Sequence, residues 1–254
     1  DLHRRRHSFP TRRSSDLDRI DSTNDEALRL AKSGIKGNFV IVAKAQTNSR
    51  GTKGKPWESI IGNLHMSILL QPAVSINRIK ELSFLTAIVL REAILEFIDT
   101  LKAPKADIKL KWPNDLLTTN GKKCGGIIAQ YIDTETVIAG LGLNLGSLPV
   151  HDAPAHYKHG LGNVSDTLSL TANDQKTIPA KLYTFILKNR ICDTADLQNR
   201  FYNACIHIQK MVNVDDDGSD YTGIFMGIGK NGEAIVEIDN QARSFLASSL
   251  KILN

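Results

Sequence analysis

The segment KWPNDLL, residues 111–117, groups a lysine, an asparagine and an aspartate around a proline. Proline has no N–H to donate to a strand ladder, so it ends the alternating strand that the pattern predicts at 108–112. Asn114 and Asp115 would then stand at a strand end, where an amide and a carboxylate can act on a ligand. A simple turn is the alternative interpretation, because Pro-Asn-Asp also suits turns.

Lysines on both sides of Asp115 favour the chemical interpretation. Lys111 precedes the carboxylate, and Lys122 and Lys123 follow it in TTNGKK. The Asn120-Gly121 pair in that stretch is typical of a hairpin turn, which would bring the later lysines back toward the aspartate. A carboxylate among cations suits phosphate charge and proton transfer, so this cluster is a candidate catalytic site.

A second unusual stretch is QTNSRGTKGKPWES, residues 46–59, which follows a predicted buried strand. A core segment would not carry Arg50, Lys53 and Lys55, and a solvated loop does not need Trp57. The glycines between the charges allow the backbone to move. We therefore expect a flexible cover that closes over an anionic ligand.

Two other motifs are set aside. GLGLNLG begins at Gly140 but has Leu145 where a dinucleotide fingerprint needs its third glycine. We interpret Gly140 and Gly142 as places where another group approaches the strand backbone closely. The histidine-rich stretch HDAPAHYKH, residues 151–159, lacks a set of partner ligands and is interpreted as a polar surface loop.

Apolar periodicity predicts an α+β fold. The chain reads as a capped helix beginning at Ser22 or Thr23, strands at 39–45, 64–70 and 108–112, a long helix at 78–98, adjacent strands at 124–133 and 136–146, and helices near 178–191 and 194–206. The last fifty residues are short alternating runs separated by Asp-Gly, Asn-Gly and Asp-Asn, which predicts a small antiparallel barrel or sandwich. We place a domain boundary near residue 206.

Chain length, apolar content and cysteine count narrow the class of protein. A chain of 254 residues allows one large domain, or a medium and a small one, and contains no apolar run long enough for a membrane span. Its three cysteines, Cys124, Cys192 and Cys205, form no CxxC pair. Their odd number and spacing predict a reducing compartment, the cytoplasm, and argue against a zinc site.

The net charge of +5 depends largely on residues 1–17, which hold five Arg and two Asp. That segment has no apolar periodicity and no apolar core of a signal peptide, so we expect a disordered or non-native tail. Only +2 remains for the rest of the chain, which weakens a nucleic-acid interpretation based on net charge.

Several motifs together resemble the biotin–protein ligases over residues 18–254. They are STN at 22–24, QT at 46–47, the basic glycine loop ending in Trp57, KWPNDLL at 111–117, GKKCGGI at 121–127 and GLGLN at 140–144. The resemblance implies a mixed-sheet catalytic domain of the biotin/lipoate protein ligase type at 18–205. It also implies a small SH3-like β-barrel at 206–254, and a catalytic-only form without an N-terminal DNA-binding domain.

The implied activity has two steps, activation of biotin by ATP as biotinyl-5′-AMP and transfer to a lysine. The implied acceptor is the biotin carboxyl carrier domain of acetyl-CoA carboxylase or of a related carboxylase. Mg²⁺ would arrive with ATP, with no metal site of the protein's own. The family also implies a possible homodimer, with neither DNA nor a membrane as partner.

Site residues follow from the matched positions. The implied catalytic residues are Arg50, Lys111, Asp115 and Lys123. The implied biotin-binding residues are Ser22, Thr23, Asn24, Gln46, Arg50, Gly51, Thr52, Lys123 and Gly126. The implied ATP-binding residues are Arg50, Lys53, Trp57, Asn114, Lys123 and Asn144. The loop departs from the family's usual Gly-Arg-Gly-Arg, because Ser49 and Thr52 replace the first and last residues.

Three alternatives stay open at this point. A lipoate- or octanoate-transferring enzyme of the same fold would need an apolar tunnel, whereas Ser-Thr-Asn and Gln46 are polar. A nucleic-acid-binding regulator would use the basic arm at 1–17 and would bind in a salt-sensitive manner. A ligand-binding module that has lost catalysis would be marked by Thr52, although Arg50, Asp115 and Lys123 argue against it.

Overall fold

The structure is a computed structural model, and it describes residues 17–35, 37–71, 82–100, 107–133, 135–146, 148, 160–164, 172–189, 193–246 and 249–253. Some sequence-based expectations therefore lie outside the described residues. Among them are residues 1–16 of the predicted tail, Cys192, the histidine-rich loop at 151–159 and residues 78–81 of the predicted long helix.

The first part of the chain forms a seven-stranded mixed sheet. Its strands in chain order are β1 (Leu17–Ile20), β2 (Phe39–Gln46), β3 (Leu64–Leu70), β4 (Lys109–Lys111), β5 (Asp115–Leu117), β6 (Lys123–Tyr131) and β7 (Val137–Leu143). Their spatial order is β1-β2-β3-β7-β6-β5-β4. β1 runs parallel to β2, and the other described pairings in this sheet are antiparallel.

Four α-helices accompany the strands in the described part of the chain: α1 (Thr23–Lys32), α2 (Leu82–Thr100), α3 (Ala172–Asn189) and α4 (Thr194–Ala204). The prediction of an α+β fold with a mixed sheet is confirmed. No helix within the described ranges is long and apolar enough to span a membrane.

The capped first helix is where the sequence predicted it. Ser22 is the N-cap in extended backbone conformation, and its side chain accepts a hydrogen bond from the Asp25 N–H at 3.3 Å. This bond satisfies one of the free N–H groups of the first turn. The helix buries Ala27 against Phe39 and Ile138 of the sheet, and its first residue, Thr23, donates its backbone N–H to Gln46 at the end of β2.

The predicted tail extends one residue too far. Leu17 is the first residue of β1, pairs with Ala43 of β2, and packs on the small apolar cluster around α1. A four-residue strand with two exposed central residues has almost no periodic signal, which is why the sequence did not reveal it.

The C-terminal strands form a separate five-stranded antiparallel sheet. They are β8 (Met211–Asp216), β9 (Ser219–Ile228), β10 (Ala234–Ile238), β11 (Gln241–Phe245) and β12 (Ser249–Ile252), in the order β11-β10-β9-β8-β12. The predicted turns are present, since Asp217, Gly218, Asp239 and Asn240 all have positive φ. Among the residues described, the edge strands β11 and β12 do not pair with each other, so the sheet is open and closure into a barrel is not confirmed.

One apolar core connects the two sheets. The buried cluster includes Trp112 and Phe201 from the first part and Phe225 from β9. Trp112 Nε1 donates to the Gly232 carbonyl at 3.0 Å, across 120 positions of sequence. The tryptophan of KWPND therefore anchors the candidate catalytic strand end against the C-terminal sheet and lies outside the ligand cavity.

Candidate functional site

A cavity of about 360 Å³ lies on one face of the seven-stranded sheet, in the volume range of small-molecule sites. Elements far apart in sequence enclose it: the start of α1, the end of β2, the loop after β2, and strands β5 to β7. Its lining consists of Ser22, Thr23, Asn24, Gln46, Ser49, Arg50, Gly51, Thr52, Gly54, Trp57, Asn114, Asp115, Lys123, Gly126, Ile127, Ile128, Gln130, Gly140, Leu141 and Gly142.

One end of the cavity is neutral and polar; we call it the amide end, made of Ser22, Thr23, Asn24 and Gln46. Gln46 Oε1 accepts from the backbone N–H of Thr23 at 2.8 Å and lies 3.1 Å from Thr23 Oγ1. Ser67, buried in β3, places its hydroxyl 2.8 Å from Thr23 Oγ1 and in contact with the Asn24 amide. These bonds fix the side chains before any ligand binds.

The opposite end is charged; we call it the lysine end, where Asp115 and Lys123 line the cavity and Lys111 lies next to Asp115 outside the lining. Lys123 Nζ lies 2.6 Å from Asp115 Oδ1, and both side chains are only about one-fifth exposed. Lys111 Nζ is 4.0 Å from the other carboxylate oxygen. β5 pairs antiparallel with β6, with Asp115 opposite Gly126 and Leu117 opposite Lys123, so the two groups of the main ion pair lie on neighbouring strands.

Glycines on β6 and β7 form the floor between the two ends. A Cβ on Gly140 would lie 2.3 Å from Asn24 Oδ1, and one on Gly142 would lie 2.5 Å from Trp57 Cε2. Real side chains could not occupy those positions without movement of the neighbour. The prediction of close approach at Gly140 and Gly142 is confirmed, and the approaching groups are two predicted ligand-binding residues.

The loop after β2 folds over the floor; we call residues 47–63 the cover loop. Ser49 and Trp57 close its tip, since Ser49 Oγ donates to the Trp57 carbonyl at 2.5 Å and the Trp57 N–H donates to the Ser49 carbonyl at 3.2 Å. The Trp57 ring lies over Gly142, with Lys123 Nζ 5.7 Å from the ring centroid. Its Nε1 is buried without a hydrogen-bond partner among the described residues.

Arg50 has an unpredicted partner. It forms an ion pair with Asp25 in the first turn of α1, and its side chain is half exposed at 52%. This pair joins the cover loop to α1 at the cavity wall. The charge of Arg50 is therefore balanced by Asp25, while that of Lys123 is balanced by Asp115.

The structure brings most of the predicted site residues together. All predicted biotin-binding residues line the cavity, as do Trp57, Asn114 and Asp115. Lys111 and Asn144 do not line it, and the side chain of Lys53 lies outside the described residues. Asn144 is buried and donates to the Gly162 carbonyl at 3.0 Å, so it supports the backbone beside the cavity.

Several residues at the site were not predicted. Ser67 and Asp25 act on lining residues, and Gln130, Ile128 and Leu141 line the cavity themselves. Ser67 carried a usable signal, because a serine within the wholly buried strand LHMSILL must have a hydrogen-bond partner. Asp25 did not, because a first-turn aspartate is already explained by the helix dipole.

Cysteine and metal chemistry find no support in the described part of the chain. Cys124 and Cys205 are buried, and burial raises the pKa of each thiol to about 12, so both stay protonated at neutral pH. The described residues contain no group of three or more His, Cys, Asp or Glu side chains that could hold a metal ion. Burial also lowers the pKa of His65, which keeps this ring neutral.

Comparison with known proteins identifies a family and a fold that this chain shares. A biotin/lipoate A/B protein ligase family model matches residues 17–144. A biotin–[acetyl-CoA-carboxylase] ligase of Paracoccus denitrificans is 35% identical over 137 residues, covering 52% of this chain and 55% of the relative. The bifunctional ligase/repressor BirA of Bacillus subtilis is 32% identical over 163 residues, covering 62% and 46%. The chain thus spans about half the length of these curated relatives.

Among solved structures, a biotin protein ligase from Aquifex aeolicus in complex with biotin and ATP superposes with a TM-score of 0.73. It covers 93% of this chain and 97% of the Aquifex chain at 21% sequence identity, which establishes a shared fold. The matched segment, residues 17–144, runs from β1 through Asn144 and includes both ends of the cavity. The chain belongs to the biotin/lipoate A/B protein ligase family.

Proposed function

We propose that this protein is a biotin–protein ligase. It joins the biotin carboxylate to the α-phosphate of ATP and then passes the biotinyl group to a lysine of an acceptor protein. The observation that carries the proposal is the pairing of opposite chemistries in one cavity. A neutral end of fixed amides and hydroxyls lies across a glycine floor from an ion pair, in which Lys123 Nζ and Asp115 Oδ1 are 2.6 Å apart.

The amide end suits the neutral bicyclic head of biotin. A neutral ligand that is rich in N–H and C=O groups gains from hydrogen-bonding partners in a dry pocket, where a charged residue would stay unpaired. The fatty chain of octanoate or lipoate has no polar group to match these partners. The composition of this end therefore favours biotin over the acyl groups that other members of the fold family transfer.

The lysine end suits the first step. A carboxylate oxygen of biotin attacks the α-phosphorus, the bond from that phosphorus to the bridging oxygen breaks, and pyrophosphate leaves with the electron pair. Negative charge accumulates around the α-phosphate as the new bond forms. Lys123 is the cation at the cavity wall that would stabilise this charge. Arg50 would join it by exchanging its ion pair with Asp25 for the phosphate.

The same end suits the second step. The acceptor amine attacks the carbonyl carbon of the mixed anhydride, an amide bond forms, and AMP leaves. The amine must first lose a proton, because a lysine ammonium has an ordinary pKa of about 10.4. Asp115 is the carboxylate that lines the cavity beside Lys123, and we assign it to orient and deprotonate that amine. Lys111 Nζ lies 4.0 Å from the second carboxylate oxygen.

Magnesium enters as the complex of ATP with the ion. Phosphate oxygens and water supply most of the ligands that Mg²⁺ prefers, so a dedicated cluster of protein carboxylates is unnecessary. Among the described residues that line the cavity, Asp115 is the one carboxylate, which fits that requirement. When bound, the ion neutralises part of the phosphate charge.

Trp57 and the cover loop would protect the activated intermediate. An acyl phosphate is destroyed by water, and a loop that seals the cavity prevents this. The hydrogen bonds between Ser49 and Trp57 already hold the loop tip as a unit. We assign the ATP side of the cavity to Trp57 and Asn114, with Lys53 as a further phosphate contact from the same loop.

The acceptor that fits this reaction is a biotin carboxyl carrier domain. We also propose that residues 18–205 form the catalytic domain and residues 206–254 a small domain of the SH3-like type. The change from a mixed sheet to a purely antiparallel sheet near residue 211 supports this division. The shared core around Trp112 and Phe225 implies that the two parts fold cooperatively.

The experiment is mass spectrometry of a biotin carboxyl carrier domain incubated with the protein, biotin, ATP and Mg²⁺. One biotinyl group should be added, and an acceptor with arginine in place of its target lysine should stay unmodified. Octanoate and lipoate are tested under the same conditions. Transfer of either acid at a rate equal to biotin, or no transfer of biotin, would contradict the proposal.

A further inference from the structure

The amide end contains a short relay of hydrogen bonds whose protons can be counted. Three contacts form a chain: Gln46 Oε1 to Thr23 Oγ1 at 3.1 Å, Thr23 Oγ1 to Ser67 Oγ at 2.8 Å, and Ser67 Oγ to the Asn24 amide. Ser67 is fully buried and Thr23 nearly so, at 0% and 4% exposure. The two hydroxyls therefore have little contact with bulk water, and their protons are shared chiefly within the relay.

The direction of the relay is set at its Gln46 end. The backbone N–H of Thr23 donates to Gln46 at 2.8 Å, and a backbone N–H can only be a donor. The Gln46 atom at this position must be the carbonyl oxygen, which leaves the Gln46 Nε2 group on the other side of the amide. Because Oε1 only accepts, the hydroxyl proton of Thr23 is used on the contact with Gln46.

The remaining contacts follow in order. With its own proton committed, Thr23 Oγ1 can only accept, so the proton of Ser67 is used between Ser67 and Thr23. Ser67 Oγ can then only accept a hydrogen bond from Asn24. Three contacts are thus bridged by two hydroxyl protons, and the third proton must come from Asn24 itself.

In the structure the Oδ1 atom of Asn24 faces Ser67. That arrangement forces two acceptor oxygens together somewhere along the relay. Exchange of the Asn24 oxygen and nitrogen removes the conflict, because Nδ2 then donates to Ser67. The side-chain amide lies against Gly140, where the space that a Cβ would take, 2.3 Å from Oδ1 and 2.8 Å from Nδ2, is open to either orientation.

We infer that Ser67 is a positioning residue that sets the polarity of the amide end: it turns the Asn24 carbonyl oxygen toward the ligand. The cavity then offers an acceptor from Asn24 and a donor from Gln46 Nε2. Ligands that match have an N–H beside a C=O, as in a cyclic urea or a cis-amide. The identity of the ligand rests on the proposed function, whereas the orientation of the Asn24 amide is a property of the free protein.

The ligand test uses biotin, a cyclic urea, and its two cyclic carbamate analogues, in which a ring oxygen replaces one N–H or the other. For one regioisomer the ring oxygen would face Asn24 Oδ1, and affinity should fall about tenfold or more below that of biotin. In Ser67→Ala the Asn24 amide is free to turn its nitrogen to the ring oxygen. The ratio between the two ligands should then shrink to about threefold or less.

Ser59→Ala is the matched control. The Ser59 hydroxyl accepts from the backbone N–H of Gln46 at 2.7 Å, beside the amide end but outside the relay. This variant should keep the full ratio between biotin and the discriminated carbamate. A Ser67→Ala variant that keeps the same ratio as the original protein would overturn the inference, whatever its absolute affinities.

The second measurement needs no ligand. Neutron diffraction from crystals of the deuterated full chain locates the deuterons on Ser67, Thr23 and Asn24 directly. Deuterons of the Asn24 amide pointing at Ser67 Oγ support the inference, and an oxygen of Asn24 facing a Ser67 deuteron overturns it. If the Asn24 amide nitrogen faces Ser67 but biotin does not bind at all, the proposed function is wrong and the inference about Ser67 is still supported.

Discussion

The two ends of the cavity differ in charge and in how their side chains are held. At the amide end, polar side chains are tied to one another by neutral hydrogen bonds, and the side chain that directs them, Ser67, is completely buried. At the lysine end, the cations are balanced by a carboxylate on the neighbouring strand, and all three side chains keep some exposure. The first arrangement suits selection of a ligand, because its geometry is fixed. The second suits chemistry, because an ion pair can exchange partners as charge develops.

The largest effect is expected from Lys123→Ala, which removes the main cation of the lysine end and leaves the amide end unchanged. We expect pyrophosphate release to fall about 10²–10³-fold, because one charge contact to the transition state is lost. Biotin affinity should change little, since the amide end is intact. Lys122→Ala is the control, because Lys122 is an exposed neighbour outside the cavity lining. An unchanged rate of pyrophosphate release in Lys123→Ala would remove this residue from the reaction.

Asp115→Asn should separate the two steps. Loss of the base is expected to slow transfer to the acceptor by about 10²-fold, while adenylate formation stays within a small factor. Single-turnover assays that follow adenylate and biotinylated acceptor separately provide the measurement. Equal loss in both steps would mean that Asp115 mainly positions Lys123, its partner at 2.6 Å.

Gly140→Ala should damage the amide end selectively. Its Cβ would lie 2.3 Å from Asn24 Oδ1, so the Asn24 amide must move. Overpacking of this kind costs about 1–3 kcal/mol, which corresponds to about 5- to 150-fold in biotin affinity by calorimetry. Gly126→Ala serves as the contrast, because the nearest side-chain atom is 3.6 Å away on the flexible end of Lys123. Equal losses in the two variants would argue against a rigid amide end.

Thr52→Arg addresses the cover loop. An arginine can make a bidentate contact to phosphate oxygens, which threonine cannot. Thr52 is exposed at the cavity mouth, so solvent reduces the gain to about 2- to 10-fold slower release of biotinyl-adenylate. Rapid filtration of preloaded enzyme measures the rate. Release that is unchanged or faster would mean that other contacts, such as those of Trp57, already hold the loop.

The smallest effect is expected from removing residues 1–16, which should leave melting temperature and ligase activity unchanged because the segment has no apolar periodicity. Removal through Ile20 should lower the melting temperature, since Leu17 packs on the α1 cluster and β1 pairs with β2. Loss of activity in the shorter deletion, measured with folded protein, would reveal a function for the basic segment.

Prediction from sequence worked best where local chemistry decides the structure. The N-cap at Ser22, the Asp-Gly turn at 217–218 and the buried strand at 64–70 are set by neighbouring residues. Short elements with weak periodicity were missed, as β1 demonstrates. The role of Asn144 in binding ATP, predicted from its motif, stays a prediction, and tertiary structure adds a bond from its side chain to the Gly162 carbonyl.

The sequence by itself determined which chemical groups are available: the lysines and aspartate of KWPNDLL and GKK, the polar STN and Gln46, and the glycines that leave room around them. Tertiary structure decided which groups meet. Ser67 reaches Asn24 across 43 positions, and Arg50 reaches Asp25 across 25. No local pattern records such pairs, because each partner already has an adequate local explanation. Ser67 can set the orientation of the Asn24 amide only because α1 packs on β3 and β7.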